Sequence, residues 1–365
     1  MIAALTTRWT LYVPMLAALV LALSWGREVP TVVIAVVSLA LAGAVLAAVY
    51  HAEIVAHRVG QPFGALVLAV AVTVIEVALI VTMMVSGGEK TASLARDTVF
   101  AAVMITCNGI FGLVLLVGAL RRRVAVFNSD GTGAALATVA TLATLSLVLP
   151  TFTTSKPGPE FSGGQLAFAA VASLALYLLF VMVQTMRHPD DFLPVEDSGA
   201  VDEEGDDPHS SVPSRRAALI SLGMLVLALV CVVGLAKGVS PTLESVVASA
   251  GMPPSAVGVV IAMLVLLPET LAAVNSARRN QVQIGLNLAM GSAMASIGLT
   301  IPVIAIVSIW LSGPLVLGLG ATQMVLLALT VVVGTLTIVP GRATLLHGGV
   351  HLALFAAFVF LAASP

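Results

Sequence analysis

Residues 64–85 read GALVLAVAVTVIEVALIVTMMV and residues 258–274 read GVVIAMLVLLPETLAAV. Each is an apolar run interrupted by a single carboxylate, Glu76 in the first and Glu269 in the second. An ionisable group at membrane depth is costly, so it faces a partner or a water-filled cavity and marks an ion path. Two such groups, one in each half of the chain, point to cation transport.

The surrounding composition agrees. Of 365 residues, 59% are hydrophobic and only 9% are charged, where a soluble domain carries roughly 25% charged residues. Apolar runs of about 20 residues suit spanning helices, not the alternating pattern of a membrane barrel. The two cysteines, Cys107 and Cys231, both lie in apolar runs; they imply neither a disulfide framework nor, alone, a soft-metal site. The segment from Thr10 to Trp25 has only Arg8 before it and no small-residue cleavage signal, so it reads as a retained helix and not as a signal peptide.

Apolar runs between Gly/Pro and charge punctuation predict eleven spans, near 10–25, 29–50, 62–86, 97–120, 133–150, 164–186, 217–236, 255–276, 283–311, 314–339 and 343–363. The long ninth span contains Pro302 and is expected to tilt or kink. With eleven spans, eleven basic residues fall on one side: Arg8, Arg58, Arg121 to Arg123, Arg187, Arg215, Arg216, Arg278, Arg279 and Arg342. Five fall on the other: Arg27, Lys90, Arg96, Lys156 and Lys237. The positive-inside rule then puts the N-terminus in the cytoplasm and the C-terminus outside a cell inner membrane. Between Arg187 and Arg216, nine acidic residues stand against three arginines. Residues 187–216 therefore read as an acidic cytoplasmic linker, a solvated connector or a weak cation sensor.

That linker separates two sets of five spans, and an odd number inverts the second set relative to the first. The expected fold is an all-α integral membrane protein of about eleven transmembrane helices. Residues 1–28 form an extra N-terminal helix, and residues 29–186 and 217–365 form two inverted five-helix repeats. Glu76 and Glu269 stand 193 positions apart, each in the second helix of its repeat. At about 1.5 Å of rise per residue, both sit within roughly 5 Å of the bilayer centre. Inverted-repeat transporters bind their cargo at that depth, where the repeats meet.

Two carboxylates sharing one low-dielectric site need a counter-charge, so protons and a divalent cation compete for the same oxygens and the pair titrates jointly. Calcium accepts six to eight oxygens in flexible geometry, and two bidentate glutamates supply four. Thr73, Asn108, Ser292 and Ser296 are the side chains available to complete the shell. Pro268 removes a backbone donor and leaves a carbonyl free beside Glu269. The serines and Thr73 can instead bond back to their own helices, Asn108 can bond across helices, and Pro268 can be a kink alone. No Lys or Arg lies deep in any span to neutralise the glutamates.

His347 and His351, four apart at the start of the last span, share a helix face. HGGVH lacks the acid of a zinc-protease HExxH motif, leaving an interfacial, solvated pair or a proton relay. Arg121 to Arg123 read as a cytoplasmic anchor. An intramembrane enzyme would need a nucleophile and base, or a metal triad, at depth, and no His lies mid-span near either glutamate. A cation channel lacks a selectivity ring. The chain is expected to be no enzyme and to need no organic cofactor or nucleic-acid partner.

Several stretches carry a family resemblance: HRVGQPFGALVLAVAVTVIEV, the charged RDTVF, LLPETLAAVNSARRNQVQIGLNLAMGSAMASIGLTIPV, GRATLLHGGVHLALFAAF and the acidic loop. From about Tyr50 to its end the chain resembles the bacterial ChaA-type calcium/proton antiporters of the calcium/cation antiporter superfamily. The resemblance implies two repeat motifs, each an acid in one helix with polar residues in the next, here Glu76 with Asn108 and Glu269 with Ser292. The wider superfamily carries a Gly-Asn pair before each acid; this chain reads VTVIE and VLLPE. It also implies exchange of calcium, sodium or potassium for protons. The expected activity is export of cytoplasmic calcium against entering protons, with sodium/proton or potassium/proton exchange at the same site as the alternative.

Overall fold

Long apolar runs have one way to satisfy their backbone in lipid without a closed barrel, the α-helix. Among the described residues, the computed structural model has helices joined by loops and one pair of two-residue strands. It describes residues 9–26, 31–60, 63–87, 91–195, 213–310 and 313–364. The first helices are α1 (Trp9–Ser24), α2 (Thr31–Val59) and α3 (Phe63–Gly87). They are followed by α4 (Leu94–Arg122), α5 (Ser129–Phe152) and α6 (Gly163–Arg187), each containing a short π-helical stretch. Next come α7 (Arg215–Ser249) and α8, bent by 50° between Ser255–Val265 and Leu267–Arg278. The last are α9 (Val282–Val307), α10 (Ala321–Ile338) and α11 (Leu345–Ala363).

Among the described residues, eight helices are long and apolar enough to cross a membrane, nine with bent α8 as one span. Helix α1 and the Val70–Val85 part of α3 are shorter apolar helices. The protein is therefore multi-pass. Most of the acidic linker, residues 196–212, lies outside the described residues.

Three ends differ from the sequence reading. Helix α2 continues through the charged HAEIVAHRV segment to Val59, where a span ending near residue 50 was expected. Charges on a helix surface do not stop it; Gly60, with φ of 77°, does. Helix α7 likewise passes Lys237 and Pro241 before ending at Ser249 ahead of Gly251, with φ of 71°. Helix α10 starts at Ala321 instead of near 314, because Pro314 and the glycines around it hold residues 314–320 out of a helix. The Gln323 side chain then accepts the Gly320 N–H at 2.9 Å and caps the new start.

Loop contacts define two faces. On one, Ala125–Val126 pairs antiparallel with Arg342–Ala343. There Asn128 N donates to Gln283 Oε1 at 2.7 Å, and Asn287 Nδ2 donates to the Phe192 carbonyl at 2.6 Å. This face carries Arg121 to Arg123, Arg187, Arg278, Arg279 and Arg342. On the other, Val316 N bonds Ala92 O, Gly318 N bonds Pro159 O, and Arg96 Nη1 reaches Gly318 O at 3.2 Å. The observed faces thus sort these basic residues as the sequence did.

Polarity runs opposite to that of a soluble protein. Leu39, Phe168, Val171, Ile309 and Leu336 are exposed, while Glu76, Asn108, Ser146, Ser296, Thr330 and His351 are buried. Helices α4 and α9 form the centre: 89% and 61% of their spans are buried, against 17–44% for the other six long spans. Small residues permit the closeness. A Cβ on Gly298 of α9 would stand 2.5 Å from Tyr177 of α6. One on Gly348 of α11 would stand 2.8 Å from Leu116 N of α4.

Candidate cation site

Helices α3, α6, α8 and α9 enclose a cavity of about 220 Å³. Glu76 and Thr73 of α3, Glu269 of α8, and Ser292 and Ser296 of α9 all line it. Five of the seven residues singled out in the sequence therefore meet in one space. Beyond them the lining continues to Gln184 and Thr185 near the end of α6 and to Asn287 near the start of α9. Both helix ends lie on the arginine-rich face, so the cavity leads from the carboxylates to that face.

The two acids are held differently. Glu76 lies inside unbroken α3 and is 4% exposed; Ser296 Oγ donates to its Oε1 at 2.6 Å. Glu269 occupies the first turn of the second half of α8, after the bend at Leu266. A helix start presents unpaired N–H groups and a positive dipole end, which favours a carboxylate. Its Oε2 is buried with no hydrogen-bond partner, aimed into a site with nothing to accept from. Glu269 is close enough to feel the charges of both Glu76 and Glu53.

Pro268 is absent from the lining and stands at the start of that second half-helix, where a missing N–H costs nothing. It leaves the Leu264 carbonyl without its helical donor. Asn108 lies elsewhere. It sits in a π-helical turn of α4, Ile105–Ile110, fully buried. Asn108 Nδ2 donates to Thr330 Oγ1 of α10 at 2.9 Å, and its Oδ1 faces His351 Nδ1 of α11 at 3.2 Å. The two histidines also part company. The His347 ring accepts the Thr344 N–H at 3.1 Å as a helix cap, whereas His351 is 1% exposed. The interfacial reading of His351 is thus corrected: the cap and the glycine contact at Gly348 draw that turn of α11 against α4.

Thr300, Gln184, Asn287 and Glu53 were missed. Ser292, Ser296 and Thr300 recur every fourth residue of α9, one helix face, and the buried Thr300 Oγ1 faces the Glu76 carboxylate. That spacing was the available signal. Glu53 lay beyond the expected end of its span.

A multi-pass helical protein with a buried carboxylate pair at the end of a one-sided cavity belongs to the class of secondary cation transporters. The chain matches the sodium/calcium exchanger protein family over residues 29–186 and 220–363, and it belongs to that family, within the calcium/cation antiporter superfamily. It is 45% identical to the protein y4hA of Sinorhizobium fredii over 98% of this chain and 96% of that one. Identity to the sodium-potassium/proton antiporter ChaA of Escherichia coli is 35%, over 96% and 94%. The fold is similar to that of the crystallised H+/Ca2+ exchanger CAX, with a TM-score of 0.69 at 16% identity over 98% and 91%. The chain is a cation antiporter.

Proposed function

We propose that the chain exports cytoplasmic calcium in exchange for protons by alternating access at the site of Glu76 and Glu269, with Thr73, Ser292, Ser296 and carbonyls at the α8 bend completing the shell. The observation that carries this reading is the meeting of both carboxylates in one cavity leading to the arginine-rich face. With that face cytoplasmic, the cavity is the inward-open half of the cycle. Loaded with a cation or with protons the site is neutral enough to reorient; empty, it carries two charges that hold it in place.

On this reading the chain crosses the inner membrane eleven times, with the N-terminus inside and the C-terminus outside, and the sorting of basic residues between the two faces supports it. The packing supports an inverted repeat of residues 29–186 and 217–365. Helix α3 packs on α9 as α8 packs on α4, and α9 packs on α6 as α4 packs on α11. Both halves of the family match fall close to these bounds. Residues 1–28 stand outside the repeat, and residues 187–216 link its two halves, with Phe192 of that stretch buried against Phe180 of α6.

Sodium/proton or potassium/proton exchange is the second reading, favoured by the 35% identity to ChaA. The test is pH-dye recovery in inside-out vesicles with an acid interior on addition of calcium, sodium or potassium. Recovery with calcium, lost in Glu76→Gln and Glu269→Gln, supports the first reading. Recovery only with sodium or potassium transfers the mechanism to the second. No recovery from folded protein overturns both.

A further inference from the structure

We propose that the outer ion path runs between α4, α10 and α11, and that His351 is its positioning residue, holding Asn108 at the closed inner end of that path. The inference rests on the antiport reading above. A second cavity, of about 310 Å³, lies between α4, α8, α10 and α11 on the face opposite the arginines. Exchanging each helix of the inner cavity for its inverted counterpart gives α8, α11, α3 and α4, three of which line this vestibule. Asp97 stands in it, 3% exposed. Its Oδ1 accepts from Arg96 Nε at 2.8 Å and Gln323 Nε2 at 3.4 Å, and its Oδ2 from Ser93 Oγ at 2.8 Å.

The vestibule ends inward at Phe100 and Phe358, packed edge to face with centroids 5.6 Å apart. One and two turns deeper on α4 lie Met104 and Asn108; deeper on α11 lie Phe355, against Gly109, and then His351. Beneath an aromatic plug, this buried cluster is therefore polar.

Its hydrogen bonds have a fixed direction. Thr330 Oγ1 donates to Leu326 O at 2.8 Å, so it accepts from Asn108 Nδ2. The Asn108 oxygen must then accept, which makes His351 Nδ1 the donor. His351 Nε2 is left to accept from Thr337 Oγ1 at 3.3 Å. Thr330 and Thr337 are two turns apart on α10, so His351 and Asn108 together pin α10 to α4 and α11. Opening the outer path means parting the Phe100–Phe358 plug and releasing this chain, while His351 keeps the Asn108 oxygen turned to the path.

The test uses the full chain with Cys107 and Cys231 replaced by alanine and a cationic, membrane-impermeant methanethiosulfonate applied outside right-side-out vesicles. Leu326→Cys, in the vestibule, should be labelled at rest. Thr330→Cys should be labelled only during exchange, and at rest once Phe358→Ala is added. His351→Ala should lower the maximal exchange rate about tenfold, the worth of one buried hydrogen bond, with cytoplasmic half-saturation unchanged. His351→Asn places an amide N–H where Nδ1 stood and should recover most of that rate. An unlabelled Leu326→Cys, a Thr330→Cys unreactive in actively exchanging protein, or equal rates for the two His351 variants would overturn the proposal. A wild type that exchanges nothing instead fails the antiport reading itself.

Discussion

The α9 and α4 sides of the molecule begin alike and end in opposite states. Ser296 lies fourteen residues after the start of α9, and Asn108 fourteen after the start of α4. Ser296 bonds a carboxylate beside a cavity that leads to the arginine-rich face. Asn108 bonds Thr330 and His351, walled from its vestibule by two phenylalanines. On the proposed inverted repeat these are related half-paths, one open and one shut, as a single alternating site requires. An open pore would show both open together.

The comparison is broken most completely by removing the charges that the two halves share. Glu76→Gln and Glu269→Gln keep the volume and abolish the alternation between carboxylate and carboxylic acid. Exchange in vesicles should fall at least about a hundredfold for each, with both variants still monodisperse in detergent. Retained proton-coupled flux in either would mean that one carboxylate suffices and that the halves are not functionally paired.

Removing a partner instead of the charge gives the next effect. Ser296→Ala deletes the 2.6 Å hydrogen bond to Glu76. Bonds to charged groups contribute about 1.5–3 kcal/mol, so cation half-saturation should shift roughly ten- to a hundredfold. Ser292→Ala, which lines the same cavity without a bond to either carboxylate, should shift it less. Equal effects would put both serines in the shell on the same footing.

Protons sharpen the same contrast. If cation and proton compete for the Glu76 and Glu269 oxygens, acidifying the cytoplasmic side raises the half-saturation for the cation and leaves the maximal rate less affected. The sign is fixed by competition: protons occupy oxygens that the cation needs, so alkalinity favours cation loading. Initial rates against cation concentration at several pH values measure it. A maximal rate that falls with acidity at constant half-saturation would move proton binding to some other group.

Much of this site was legible in the sequence because a charge in an apolar run has few innocent explanations. Glu76 and Glu269 stood out for that reason, and Thr73, Ser292 and Ser296 followed by proximity. Thr300 did not, because threonine is common in such helices and its facing depends on how α9 crosses α3. The span ends near Tyr50 and Lys237 were misplaced because charge was treated as a terminator, when backbone conformation at Gly60 and Gly251 does the terminating. His351 was hidden by its position near a helix start; the packing of α11 on α4, at Gly348, Gly112 and Phe111, buries it. Which polar residues join a carboxylate is a property of helix crossings, and no single helix encodes it.

The smallest effect belongs to the mouth of the open half. Asn287 lines the cavity there, with Nδ2 donating to Phe192 O and Oδ1 accepting from Gln283 Nε2 at 2.9 Å. It resembles Asn108 in having both ends of its amide engaged, but water can reach it and replace those bonds. Asn287→Ala should therefore change the half-saturation by no more than about threefold. Asn108→Ala leaves buried Thr330 and His351 without water to substitute, and its loss should appear in turnover. A larger effect at Asn287 than at Asn108 would reverse the assignment of open and closed halves, because the costlier vacancy is the one that solvent cannot fill.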